Sequence, residues 1–321
     1  MNRDLTNTRA ADILAALTEA RRRAGVAALG MVLTLVVDVD EAGHYDAVHA
    51  AIAAAREHPC RIVTVIRRSG ERSTPRLDAE LRVGEETSLA EIAILRLYGP
   101  LRQHADSVVL PLLLPDAPVL VWWPGAGPIE PAKDGLGALA QRRVTDAAAG
   151  RDPIGTLRAR AGCHHPGDTD FAWTRLTPWR TLLAAALDQP FDRIHGGMVA
   201  AARKNPSAEL LAVWLEWRLG VPIERKVTKG PGITEVRLST QSGDIAITRP
   251  DGRLATLSRP GQPDRSVPLP RRSTEELLAE EMRRLDPDDI YSAVLSRLAA
   301  QPSAEAASAT HDAATEESGT P

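Results

Sequence analysis

The sequence predicts an α/β protein: a Rossmann-like domain with a mainly parallel sheet, followed by an α+β domain with a small antiparallel sheet. Three observations carry this. Short apolar, β-branched runs alternate with amphipathic segments through the first half. A stretch rich in Gly, Pro and charge, Arg151 to Gly167, then interrupts the pattern. Beyond it, short strands with partial alternation are grouped among helices, the arrangement of an α+β unit. The expected organisation is a Rossmann-like α/β domain over 1–150, a linker over 151–167, an α+β domain over 168–300 and a disordered tail over 301–321.

In chain order, Ile13, Leu14, Leu17 and Ala24 recur at helical spacing before a turn at Gly25. MVLTLVVDV (Met31 to Val39) is a strand buried on both faces, and Val48, Ile52 and Ala55 mark a helix stopped by His58-Pro59. RIVTVIR (Arg61 to Arg67), EIAILRL (Glu91 to Leu97) and PVLVWW (Pro118 to Trp123) are further buried strands. Helices are expected over 103–114, with Pro111 ending or kinking it, and over 136–149, ending at Gly150. In the second half Asp168 or Thr169 would cap one short helix, and Thr177 with Pro178 would open the next. A helix over 207–219 carries Trp214 and Trp217, and IERKVT, ITEVRLST, DIAITR and RLATLS read as strands. Ser273 and Glu276 form a capping box, and Asp286-Pro287 starts a last helix through Val294 and Leu298.

Composition narrows the function. With 43% hydrophobic and 25% charged residues the chain is an ordinary globular sequence, and a net charge of -3 argues against generic nucleic-acid binding. The most apolar region, Ser107 to Trp123, is broken by Pro111, Pro115, Asp116 and Pro118, so no membrane association is expected. The N-terminus MNRDLTNTRA lacks the apolar stretch of a signal peptide. Two cysteines about a hundred positions apart, Cys60 and Cys163, suit a reducing cytoplasm.

A Rossmann-like half invites a search for a phosphate loop. The turn after the first buried strand, DEAGHYD, has one glycine and several acids, where a pyrophosphate needs closely approaching glycine backbone. CHHPGDTD (Cys163 to Asp170) groups metal-type ligands, but their adjacency suits a polar linker ending in caps better than a tetrahedral ion. No G-x-S-x-G elbow is present. No catalytic residue, cofactor or metal is therefore expected. Arginine is abundant beside only four lysines, and the six tryptophans fall in near-neighbour pairs. Both residue types are favoured at protein interfaces. In GDTDFAWTRLTPWR, Trp179 shares a helix face with Leu182 and Leu183 and reads as core, whereas Trp173, Arg175 and Arg180 are expected toward the surface. With Trp123 at a strand end and Arg249 and Arg253 at a hairpin, these are the candidate partner-binding residues.

The strings HPCRIVTVI, HADSVVLPLLLPDAPVLVWWP, RRVTDA, DTDFAWTRLTPWR and RRLDPDDIY resemble those of the glucose-6-phosphate dehydrogenase assembly protein family, OpcA, in its actinobacterial form. The resemblance runs from the first helix to about Leu298. It implies a non-catalytic protein that binds glucose-6-phosphate dehydrogenase and promotes its active oligomer or tunes its activity, in support of NADPH production. Thioredoxin-dependent control, associated with cyanobacterial relatives, finds little support in a chain without C-x-x-C. The alternative is a metabolite-sensing or catalytic protein with a sugar-phosphate or nucleotide site in the N-terminal domain.

Overall fold

The computed structural model describes residues 2–24, 31–68, 74–84 and 91–301, so the tail expected beyond residue 301 lies outside the described residues. Four apolar runs and one polar one form parallel strands because both of their faces are covered. These are β2 (Leu33–Val39), β3 (Cys60–Arg67), β5 (Glu91–Tyr98), β6 (Val119–Trp122) and β7 (Arg142–Thr145). Two further strands precede β5, namely β1 (Asn2–Leu5) and β4 (Arg76–Val83), and β8 (Asp168–Asp170) completes the sheet. The order is β1-β4-β5-β3-β2-β6-β7-β8, with β4 antiparallel to its neighbours and every pair from β5 to β8 parallel. From β2 the chain builds outward to β3 and β5, then crosses back to β6, β7 and β8. The topology therefore reverses between β2 and β6, as in dinucleotide-binding sheets.

Period-two alternation sorts the side chains. Val36, Val63, Ala93 and Val121 join one core with helix α1 (Ala10–Ala24). Leu35, Ile62, Ile92 and Leu120 join the other with α2 (His44–Ala55). Helix α3 (Ala105–Val109), flanked by 3-10 turns, takes the place of the longer helix expected over 103–114. The helix expected over 136–149 is instead β7 between two single 3-10 turns. Its Arg142 and Arg143 are buried beside carboxylates and so enter the sheet. The span 151–167 holds helix α4 (Pro153–Gly162). Asp168 and Thr169 lie in β8 rather than capping a helix, and Asp170 caps α5 (Phe171–Thr174) by accepting the Ala172 N–H at 2.9 Å.

After α5 come α6 (Thr177–Leu187), β9 (Ile194–Ala202), α7 (Pro206–Leu219), β10 (Ile223–Thr228), β11 (Ile233–Thr240), β12 (Gly243–Thr248), β13 (Leu254–Ser258) and β14 (Arg265–Pro268). The second sheet has the order β10-β9-β11-β12-β13-β14, parallel between β10 and β9 and antiparallel elsewhere. Its core gathers Val199, Val236, Leu238 and Ile247 with residues of α6, α7 and α9 (Asp289–Ala300). Between β14 and α9, helix α8 (Thr274–Arg283) returns to the first sheet, where Leu277, Leu278 and Met282 pack with α2. A buried ion pair fixes that return: Arg142 donates twice to Glu281 Oε2, at 3.0 and 2.6 Å, and Thr174 donates to Glu281 Oε1.

Candidate binding surfaces

A crevice of about 1190 Å³ lies at the carboxyl ends of the strands, between the loops that leave β2 and β6. This is the switch point at which such sheets bind their ligands. Asp38, at the end of β2, accepts from Arg67 Nε at 3.2 Å and Nη2 at 2.8 Å, and from Trp123 Nε1 at 3.2 Å. Burial pushes the Asp38 pKa up, and the Arg67 hydrogen bonds act against that shift. Asp40, Asp46, Asp134, Asp146 and Glu275 also line the crevice. At the start of α2 the Gly43 N–H, which would face a phosphate in a nucleotide site, donates to Asp40 Oδ1 at 2.7 Å. A crevice with this lining attracts cations and repels a pyrophosphate.

The six candidate partner-binding residues form no single surface: Trp173 and Arg180 touch, Arg175 and Arg249 line a common hollow, and Trp123 lies apart in the crevice. Trp123 is only 3% exposed, its indole held by Asp38, while Trp122 points to the opposite face, its ring tilted 5.9 Å from that of Phe171. Both tryptophans are therefore core. The expectation that Trp173 lies toward the surface is corrected: it is 2% exposed and belongs to the core of the second sheet. Its Nε1 donates to Asp288 Oδ2 at 2.8 Å, which gives a large aromatic its polar partner inside the protein. Arg180 is half-buried rather than surface-directed, with its guanidinium 3.8 Å above the Trp173 ring and its pKa lowered by burial. Arg175 donates to both carboxylate oxygens of Asp146, at 2.8 and 2.7 Å. Burial works against its charge, but the bonds to Asp146 outweigh that and raise its pKa.

Arg249 is 5% exposed and donates to the carbonyls of Leu269 at 2.9 Å and Ile233 at 3.0 Å. Burial first, and the neighbouring Arg271 next, push its pKa down to about 10. Arg253 alone of the six is exposed, on the turn where Asp251 Oδ1 accepts the N–H groups of Arg253 and Leu254.

The ligand-rich string Cys163 to Asp170 is used up internally. Asp170 accepts from Thr145 Oγ1 at 2.7 Å, Arg160 Nη1 at 3.1 Å and the Ala147 N–H, while Asp168 pairs with Arg143. His165 meets Glu130 at 3.0 Å and His164 meets Ser292 at 2.8 Å.

The sequence reading did not single out the Asp38–Arg67 pair or the basic turn Arg203-Lys204, where β9 meets α7. Signals existed for both. Arg67 ends a buried strand that would otherwise close on an unpaired charge. Asn205-Pro206 has the cap and first-turn residues of a helix start, and Asn205 Oδ1 accepts the Ala208 N–H at 3.2 Å.

Among solved structures, a 3-ketoreductase from Actinomadura kijaniata, in complex with NADP and TDP-benzene, is similar at 11% identity. The match covers 83% of this chain and 95% of that one, with a TM-score of 0.46. An oxidoreductase from Sinorhizobium meliloti aligns over 83% of this chain and 94% of its own, at 11% identity and a TM-score of 0.43. No curated protein sequence matches. Residues 51–162 match the glucose-6-phosphate dehydrogenase subunit N-terminal domain, and residues 166–295 match the C-terminal domain of the same subunit. The chain belongs to the OpcA glucose-6-phosphate dehydrogenase assembly family.

Proposed function

We propose that this protein is a non-catalytic assembly factor and allosteric effector, acting in the cytoplasm. It binds glucose-6-phosphate dehydrogenase and promotes its active oligomer, supporting NADPH production in the oxidative pentose phosphate pathway. The observation that carries the reading beyond family membership is the crevice between β2 and β6. There a sheet of dinucleotide-binding order presents Asp38, Asp40 and Asp46 where a nicotinamide nucleotide would need phosphate-binding N–H groups. The division between the two domains is proposed within residues 151–167, a placement supported by the join between the two family matches at 162–166, with β8 and α8 from beyond it returning to the first sheet.

Of the candidate contact residues, Arg253 is the one free to meet a partner without rearrangement, and Leu254 beside it is 48% exposed. An exposed arginine next to an exposed leucine on a sheet margin offers both charge and apolar area to an interface. The test is the initial rate of NADPH formation by purified dehydrogenase as this protein is titrated in. The rate should rise and saturate, whereas this protein alone with substrate and NADP should give none. A flat titration refutes the proposal. Arg253→Glu with Leu254→Ser should raise the half-saturating concentration at least tenfold, roughly the loss of about 1.4 kcal/mol of binding energy.

A further inference from the structure

Across the Arg175–Asp146 ion pair from the acidic crevice, a hollow of about 280 Å³ lies between the start of α7, the β9–α7 turn and the segment after β14. Its lining includes Arg175, Arg203, Lys204, Arg249, Arg271 and Arg272, and no acidic residue. We propose that this hollow binds the phosphate group of a small phosphorylated molecule.

Six cations meeting without an acid in the lining would repel one another unless an anion joined them. Two are committed elsewhere, Arg175 to Asp146 and Arg272 to Glu280. Arg203, Lys204, Arg249 and Arg271 form no ion pair among the described residues. Arg249 is the strongest sign. An arginine only 5% exposed would ordinarily be matched by a carboxylate. Here two nitrogens satisfy only backbone carbonyls, and Nε has no hydrogen-bond partner among the described residues. Trp179, whose ring lies 4.8 Å from the Arg249 guanidinium carbon, holds it from one side.

The geometry suits an oxyanion. A Cβ placed on Gly232 would sit 3.7 Å from Arg249 Nη2 and 3.9 Å from Asn205 Nδ2, so two donor groups flank the space above this glycine. Gly232 has a φ of 70°, and its lack of a side chain keeps that space open. The fourteen-residue helix α7 begins at the same spot, adding the positive end of its dipole. Lys204, held at a φ of 57° in the turn before α7, belongs to the same rim. Tetrahedral oxyanions need several donors converging from different elements, and here they come from the β9–α7 turn, from Arg249 just after β12 and from the segment after β14.

The experiment is calorimetric titration of the full chain with inorganic phosphate at pH 7.5, against sodium chloride at matched ionic strength. Phosphate should bind at one site and raise the melting temperature, and chloride should do neither. The exposed Arg271→Glu should weaken phosphate binding at least tenfold while leaving the melting temperature without phosphate within about 2 °C of the parent. Arg249→Met tests the buried cation. If it folds it should abolish binding, and if it does not, Arg203→Glu serves in its place with the same tenfold expectation. Equal effects of phosphate and chloride, or unchanged affinity in Arg271→Glu and Arg203→Glu, would overturn the assignment. So would tighter binding of a hexaglutamate peptide than of phosphate, which would make the hollow a dock for an acidic protein surface.

Discussion

Replacing Trp173 by alanine separates a core role from an interface role at the residue where sequence and structure diverge most. The ring is 2% exposed, with the Arg180 guanidinium on one face, Tyr291 at 5.6 Å and Asp288 on its N–H. Truncation leaves a cavity that costs about 3–5 kcal/mol. The lost hydrogen bond to a carboxylate is worth about 1.5–3 kcal/mol in isolation. Asp288 is half-exposed and can recover a water, so the cavity term dominates. At about 2.1 cal/mol/K of unfolding entropy per residue, a chain of this length loses roughly 0.7 kcal/mol per degree, which converts 3–5 kcal/mol into a fall of about 4–7 °C. Asp288 is also the N-cap of α9, accepting the Tyr291 N–H at 2.9 Å, so α9 should gain amide exchange ahead of the first sheet. Differential scanning calorimetry with hydrogen exchange checks both. A variant melting within 2 °C of the parent yet failing to bind the dehydrogenase would refute the reasoning and return Trp173 to the surface.

Glu281→Gln should destabilise by about 3–5 kcal/mol in urea, because it strips the buried Arg142 of its counter-charge. A midpoint unchanged from the parent would show that α8 does not depend on this pair. Only Cys163 should react with a thiol reagent in the folded protein, since burial pushes Cys60 up to about 12, and unfolding should release the second thiol. Rapid labelling of both would contradict the buried strand start. Burial holds the His164 pKa below its ordinary value, so its contribution to stability is complete above about 6.5, the value unfolding restores, and is lost as pH falls through the folded pKa. His164→Gln should therefore shrink the difference in melting temperature between pH 7 and pH 5, and an unchanged difference would exclude His164 as its source.

The parallel strands β2, β3, β5 and β6 were legible because each is an almost unbroken apolar run, and a strand buried on both faces needs no alternation to be seen. The strand β4 was not, although RLDAELRV alternates perfectly in burial, because its exposed positions are charged residues paired along the strand, such as Arg76 with Asp78. The strand β9 hides for the opposite reason. IHGGMVAAA is too poor in large apolar residues to announce a strand, yet the small side chains allow a central position. A Cβ on Gly197 would meet the Arg237 carbonyl at 2.8 Å. For the strand β7 and the Trp173 stretch, charges interleaved with apolar residues imitate a surface. Arg142, Arg143 and Asp170 find buried partners between 23 and 144 positions away, and a single-sequence reading has no access to those distances. The acidic crevice was half visible. DEAGHYD excluded a phosphate loop, but Asp134 and Glu275 join Asp38 only through the fold. The basic hollow draws on turns from four parts of the chain and had no local signature beyond Arg203-Lys204 and Arg271-Arg272.

Sedimentation velocity of the cognate glucose-6-phosphate dehydrogenase, with and without an equimolar amount of this protein, is the most direct test of the assembly role. The dehydrogenase boundary should shift to a larger species containing both chains, and the shift should track the gain in NADPH formation across the titration. Two independent boundaries at every ratio, with the dehydrogenase oligomer and its activity unchanged, would contradict it.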